Sequence, residues 1–132
     1  MRGTTTGTKY EHRMQTLLEE RNVSFQAQKV IGKKRNGGNH RVDLILDDGI
    51  LVSLKHQEVA GTAEEKVPFE FMKLQHAVDD YNYNRAYIVL SGDTGWTWKD
   101  YYLSDEFQAQ MSILYPDVTI MSHEVFCDYY LN

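Results

Sequence analysis

Two side chains in the first half of the chain stand where residues of their type are costly. Asp43 lies within an alternating stretch, His40 to Leu46, flanked by Val42 and Leu44, and Lys55 lies within a second such stretch, Ile50 to Gln57. A carboxylate or an ammonium inside a sheet must be paired, hydrogen-bonded or bound to a counter-ion. Asp47-Asp48-Gly49 between the two stretches is a tight-turn sequence, so they form a hairpin that places acid and base on adjacent strands. By period two, Ser53, Lys55 and Gln57 share one face of the second strand. The pair admits two readings: an Asp43–Lys55 ion pair, or a site where the acid holds a cation and the lysine acts on a substrate.

Two more carboxylates fall on helix faces expected to turn inward. Glu11 lies beside Met14 and Leu18, and Glu70 shares a face with Leu74, Ala77 and Val78. Each also stands near a helix start, where a carboxylate complements the dipole. With Pro68 as the first helical residue, Glu70 stands third and could close a capping box. Glu58, Glu64 and Glu65 are competing acids. The five histidines, His12, His40, His56, His76 and His123, are too scattered for a helical metal-binding pair. His40 is expected in solvent or, as the alternative, in contact with phosphate beside the basic loop, and His56 on the opposite sheet face from Lys55. The single cysteine, Cys127, sits among Val125, Phe126, Tyr129 and Tyr130 and reads as a buried, inert thiol.

The elements that would position these groups follow from hydrophobic periodicity. A helix is expected over Tyr10–Arg21 and a strand over Val23–Ile31, where Val23, Phe25, Ala27 and then Val30 and Ile31 give mostly period-two alternation. A basic Gly- and Asn-rich loop leads into the hairpin. Gly61 and Thr62 interrupt the pattern, and a helix runs from Pro68 to about Tyr81. A buried strand over Arg85–Leu90, one helix over Lys99–Leu114 ended by Pro116, a strand over Val118–Met121 and a helix from Ser122 complete the order. Helix, three meandering strands, helix, strand, helix, strand, helix predicts an α/β fold with a mixed central sheet flanked by helices.

The 132 residues, 42% hydrophobic and 25% charged, are expected to form one domain over 1–132 with no separate recognition domain. No apolar run approaches a membrane span and Met1 to Lys9 lacks a signal-peptide core, so a soluble, cytoplasmic protein with no membrane partner is expected. A net charge of −5 argues against coating nucleic acid by bulk electrostatics. Against that average, Lys29, Lys33, Lys34, Arg35 and Arg41 are concentrated in one stretch. The loop from Lys33 to Asn39 suits a phosphate backbone, or is simply solvated. Trp96, Trp98, Tyr101 and Tyr102 fit a core or subunit interface, or stacking on bases.

At Asp43 followed by Ser53-Leu54-Lys55, the chain resembles the PD-(D/E)XK, or restriction-endonuclease-like, nuclease superfamily. Its motif is an Asp and then (Asp/Glu)-X-Lys on the next strand of an αβββαβ core; Glu11 occupies the place of the first-helix acid found in several branches. The similarity spans about Thr8 to Leu90, and Gly7-Thr8-Lys9-Tyr10-Glu11-His12-Arg13 is also similar to the opening of archaeal Holliday-junction resolvases. Ser53 replaces the second acid of the motif and cannot bring a full charge to a metal. Some restriction enzymes of the superfamily with Ser-X-Lys take that carboxylate from the following helix, which points to Glu70.

The resemblance implies a metal-dependent endonuclease hydrolysing phosphodiester bonds of duplex DNA, of restriction or homing type, acting as a homodimer or higher oligomer. It implies Mg2+, or Mn2+ in its place, held by Glu11, Asp43, Glu70 and the Leu54 carbonyl, a set of hard oxygen donors. Lys55 would position the attacking water, Gln57 would be a neutral ligand or substrate contact, and Lys33, Lys34, Arg35, Asn39 and Arg41 would contact DNA. A Holliday-junction resolvase-like enzyme, or a DNA-binding or assembly module made inactive by Ser53, stays open as an alternative.

Overall fold

The computed structural model describes residues 6–59 and 64–131, so Gly61 and Thr62 lie outside the described residues. The chain runs α1 (Thr6–Glu20), β1 (Phe25–Lys33), β2 (Asn39–Leu46), β3 (Ile50–His56), a 3-10 turn (Glu64–Lys66), α2 (Val67–Tyr81), β4 (Arg85–Ser91), α3 (Lys99–Tyr102), α4 (Asp105–Leu114), β5 (Val118–Ser122) and α5 (His123–Tyr130). The five strands lie side by side in chain order. β1, β2 and β3 form an antiparallel meander, and β4 and β5 add in parallel. This is the mixed sheet, flanked by helices, that the periodicity predicts.

The sheet divides two cores. Leu51, Ile88 and Leu90 pack with Phe71 and Leu74 of α2 on one face, while Val52, Leu54 and Val89 pack with Tyr10, Met14 and Leu18 of α1 and Phe126 of α5 on the other. β4 is buried from Ala86 to Ser91, which explains why its sequence is a continuous apolar run rather than an alternation. The hairpin turn forms at Asp47-Asp48-Gly49, where Gly49 takes φ +79° and donates to the Leu46 carbonyl.

Three expectations change. α1 and β1 are displaced by a few residues from Tyr10–Arg21 and Val23–Ile31. The single helix expected over Lys99–Leu114 is two. Extended Ser104 (φ −78°, ψ 154°) accepts the Phe107 N–H and starts α4, turning Phe107 edge-on to Phe71 with centroids 5.6 Å apart. α2 begins at Val67, so Pro68 is its second residue and Glu70 its fourth, one position too late for a capping box. Among the described residues no helix is long and apolar enough to cross a membrane.

Candidate active site

The centre of the molecule's polar chemistry lies where β2 and β3 part. Their register runs Leu46↔Ile50, Ile45↔Leu51, Leu44↔Val52 and stops there, while β3 stays paired to β4 as far as His56↔Ser91. β3 therefore follows β4, and Asp43 occupies the opening gap. Its Oδ2 accepts the Leu54 N–H at 2.7 Å, in place of a strand carbonyl. In extended backbone the N–H and C=O of one residue point to the same side, so the Leu54 carbonyl faces this gap as well. Burial pushes the Asp43 carboxyl up, against the Leu54 N–H and Lys55, and nearby Glu70 adds to the rise.

Lys55 takes Glu70, not Asp43, as its ion partner. Its Nζ lies 3.4 Å from Glu70 Oε1, and Lys73 Nζ, one helical turn along α2, lies 3.1 Å from the same oxygen. Glu70 points inward because it falls on the buried stripe Val67, Glu70, Phe71, Leu74, Gln75, Val78. Burial alone would raise its carboxyl, but the charges of Lys55 and Lys73 and a hydrogen bond from the Ser53 hydroxyl bring it below its ordinary value. Ser53 of β3 and Glu70 of α2 are thus neighbours across the strand–helix junction. Glu70 stands between the ammonium groups of Lys55 and Lys73, and the charges of Glu70 and Lys55 both act on Asp43.

Glu11 reaches the same place from α1. It is half-buried, raised by burial and by the charge of Asp43, and its Oε1 accepts from Gln28 Nε2 at 2.8 Å. Gln28 stands opposite Asp43, between the pairs Ala27↔Leu44 and Lys29↔Val42, and also hydrogen-bonds Asp43. Its φ of +52° is a left-handed conformation that non-glycine residues adopt at a cost, here in the middle of a strand. Arg41 Nη1 donates to the Gln28 carbonyl at 2.8 Å, holding this irregular backbone from the far side. Sequence reasoning missed Gln28 and Lys73. The phase change between Ala27 and Val30 is the signal that marks the first, and the three-residue spacing from Glu70 marks the second.

The remaining predicted residues are distributed around this centre. Gln57 is buried and turns away, its amide donating to the Gly95 carbonyl at 2.5 Å. Glu64 caps the Thr97 and Trp98 N–H groups at 2.7 and 2.8 Å, which lowers its carboxyl, the Trp98 bond foremost. Glu58 pairs with His56 on the other sheet face, where His56 stacks on Tyr10. Of the basic residues, Lys33 donates to Asn39 at 2.9 Å and Arg35 forms a two-bonded pair with Asp80 at 3.0 Å, so that the turn between β1 and β2 is anchored to α2. His40 is buried, contrary to the expectation of a solvated ring, because it lies under the turn beside Lys34, Lys73 and His76. Among the aromatics Tyr102 is buried, Trp96 partly buried and Trp98 exposed. Cys127 is half-buried rather than buried and lies 3.4 Å from His123 Nε2; burial raises its thiol, consistent with an inert role.

Two observations bear on whether a cation suits the gap. Asp43 and Glu11 are raised partly by neighbouring carboxylates, a repulsion that an added cation would relieve, and Glu70 Oε1 is buried with no aligned hydrogen-bond donor. The donors are all oxygens, which suits a hard divalent ion. Among the described residues no group of three or more His, Cys, Asp or Glu side chains is placed to hold a metal ion, so Glu11, Asp43 and Glu70 do not form one as they stand.

A family model described as the PD-(D/E)XK nuclease superfamily domain matches residues 2–125. No curated protein and no solved structure matches the chain.

Proposed function

The chain belongs to the PD-(D/E)XK nuclease superfamily, whose members generally use divalent metals, and from this we propose that it is a magnesium-dependent endonuclease of duplex DNA. Manganese would serve in place of magnesium. The restriction or homing type, with two or more copies of the chain supplying one site per strand, is the form of that activity we favour. The observation that carries the proposal is Glu70, turned from α2 onto Lys55 and Ser53, where it can stand for the acid missing from Ser53-Leu54-Lys55.

Asp43, Glu70, Glu11 and the Leu54 carbonyl would hold the ion. When bound, it would offset the negative charge developing on the scissile phosphate. Asp43 is already oriented by the Leu54 N–H, and Gln28 orients Glu11 while touching Asp43. Lys55, 20% exposed in its side chain, would position the attacking water and stabilise the pentacovalent phosphate. Water attacks phosphorus as the bond to the leaving sugar oxygen breaks; the attacking water's proton is lost to solvent, and the leaving oxygen takes one up from solvent to become the hydroxyl. Lys33, Lys34, Arg35, Asn39 and Arg41 would follow the flanking backbone, Arg35 exchanging Asp80 for a phosphate at need.

The test is magnesium-dependent cleavage of a pool of plasmids and four-way junctions. Fragments at defined duplex sequences are expected. Cutting of junctions regardless of sequence would move the reading to a junction resolvase, and binding without cutting, in magnesium or manganese, would leave a DNA-binding module.

A further inference from the structure

The proposed machinery leaves an apolar groove beside it unused. α2 contributes Phe69, Met72, Lys73 and His76 to one wall, and the β1–β2 turn contributes Lys34 and Asn36 to the other. Phe69 is 53% exposed although its neighbour Glu70 is buried. A lone exposed apolar residue needs no explanation, but this ring belongs to a groove rimmed by cations in a chain of net charge −5. Lys73 ties the groove to the site: its ammonium lies 3.1 Å from Glu70 Oε1 and 5.2 Å from the centroid of the Phe69 ring. The ring and the carboxylate thus flank one ammonium.

Resting on the nuclease reading, we infer that this groove receives an unstacked base of the DNA strand next to the bond being cut, with Phe69 as its stacking platform. A flat aromatic face with basic groups around it is what binds an unstacked base irrespective of its identity. Lys34, which makes no ion pair among the described residues, would meet the next phosphate across the groove. The duplex would then be locally opened at the cut when it is bound.

The test uses the full chain in EDTA, with a fluorescent mixed-sequence 30-nucleotide single strand, the matching duplex and a duplex carrying one unpaired base. Phe69→Ala is expected to weaken binding of the single strand and the bulged duplex by about five- to 150-fold, the range that loss of one stacking contact gives. Phe69→Trp should retain the affinity and show quenching of the added indole fluorescence on binding. Equal affinities of wild type and Phe69→Ala for all three probes would overturn the inference while leaving the nuclease reading intact. A lower oligomeric state of Phe69→Ala in sedimentation, with binding per copy unchanged, would overturn it in favour of an interface between copies. A wild-type protein that binds none of the probes would overturn the DNA reading itself, and the inference with it.

Discussion

Glu70 of α2 places Oε1 3.4 Å from the Lys55 ammonium on β3, so that helix and strand are joined by an ion pair. The pair is largely buried, at 20% and 8% side-chain exposure for Lys55 and Glu70. Glu70→Gln removes the counter-charge of two ammonium groups and should lower the unfolding free energy by about 1–3 kcal/mol. Denaturant unfolding of the metal-free protein measures this, and an unchanged midpoint would mean that the pair is not formed in solution.

Gln28 should separate stability from site order. Gln28→Gly tolerates the left-handed backbone that Gln28→Ala must strain to keep, so the glycine variant should be at least as stable as the alanine variant. Both lose the amide that holds Glu11, and both should bind Mn2+ more weakly than wild type in calorimetry. A glycine variant with wild-type Mn2+ affinity would show that the amide orients nothing.

Gly92 follows β4 with φ +99°, and a Cβ there would run into the backbone of Gln57. Gly92→Ala is therefore expected to cost more than about 2 kcal/mol in thermal unfolding, since both backbone strain and a clash oppose it. A variant within 0.5 °C of wild type would contradict the close approach of these two segments.

The acid response can be read at His123. Its Nδ1 meets the Tyr10 hydroxyl at 2.8 Å, and burial lowers its pKa, opposed by Glu124 and assisted by Arg13. Because the folded pKa is the lower one, the unfolded chain takes up the proton first, and stability is lost as pH falls from above the ordinary histidine value. His123→Gln should be less stable than wild type near pH 7.5, with the gap closing towards pH 5. A gap that widens on acidification would reverse the assigned direction.

The fold was legible because each element has its own period. The run Ala86 to Leu90 marks a central strand buried on both faces, and the alternation around Asp43 and Lys55 marks a hairpin with a sharp turn at Gly49. The inward aim of Glu70 was legible from its spacing to Leu74 and Val78. What periodicity could not supply was the parting of β2 from β3, on which the position of Asp43 depends, because it is a matter of register and not of pattern. The left-handed Gln28 left only a phase change, and the Ser104 break, marked in the sequence by Ser-Asp-Glu at a helix start, lies in a stretch with no Gly or Pro to show that one helix ends before it. His40 is buried by a long-range contact of the β1–β2 turn with α2, which local composition does not encode.

The most direct measurement is magnesium-dependent DNA cleavage by wild type, Lys55→Ala, Glu70→Gln and the double variant Ser53→Glu with Glu70→Gln, each shown to be folded. The account predicts that wild type cuts, that both single variants lose at least about a hundredfold in rate, as removal of a group acting on the developing charge does, and that the double variant recovers part of the loss by returning the acid to the strand. Cleavage by Glu70→Gln at the wild-type rate would contradict the assignment of the missing carboxylate to α2.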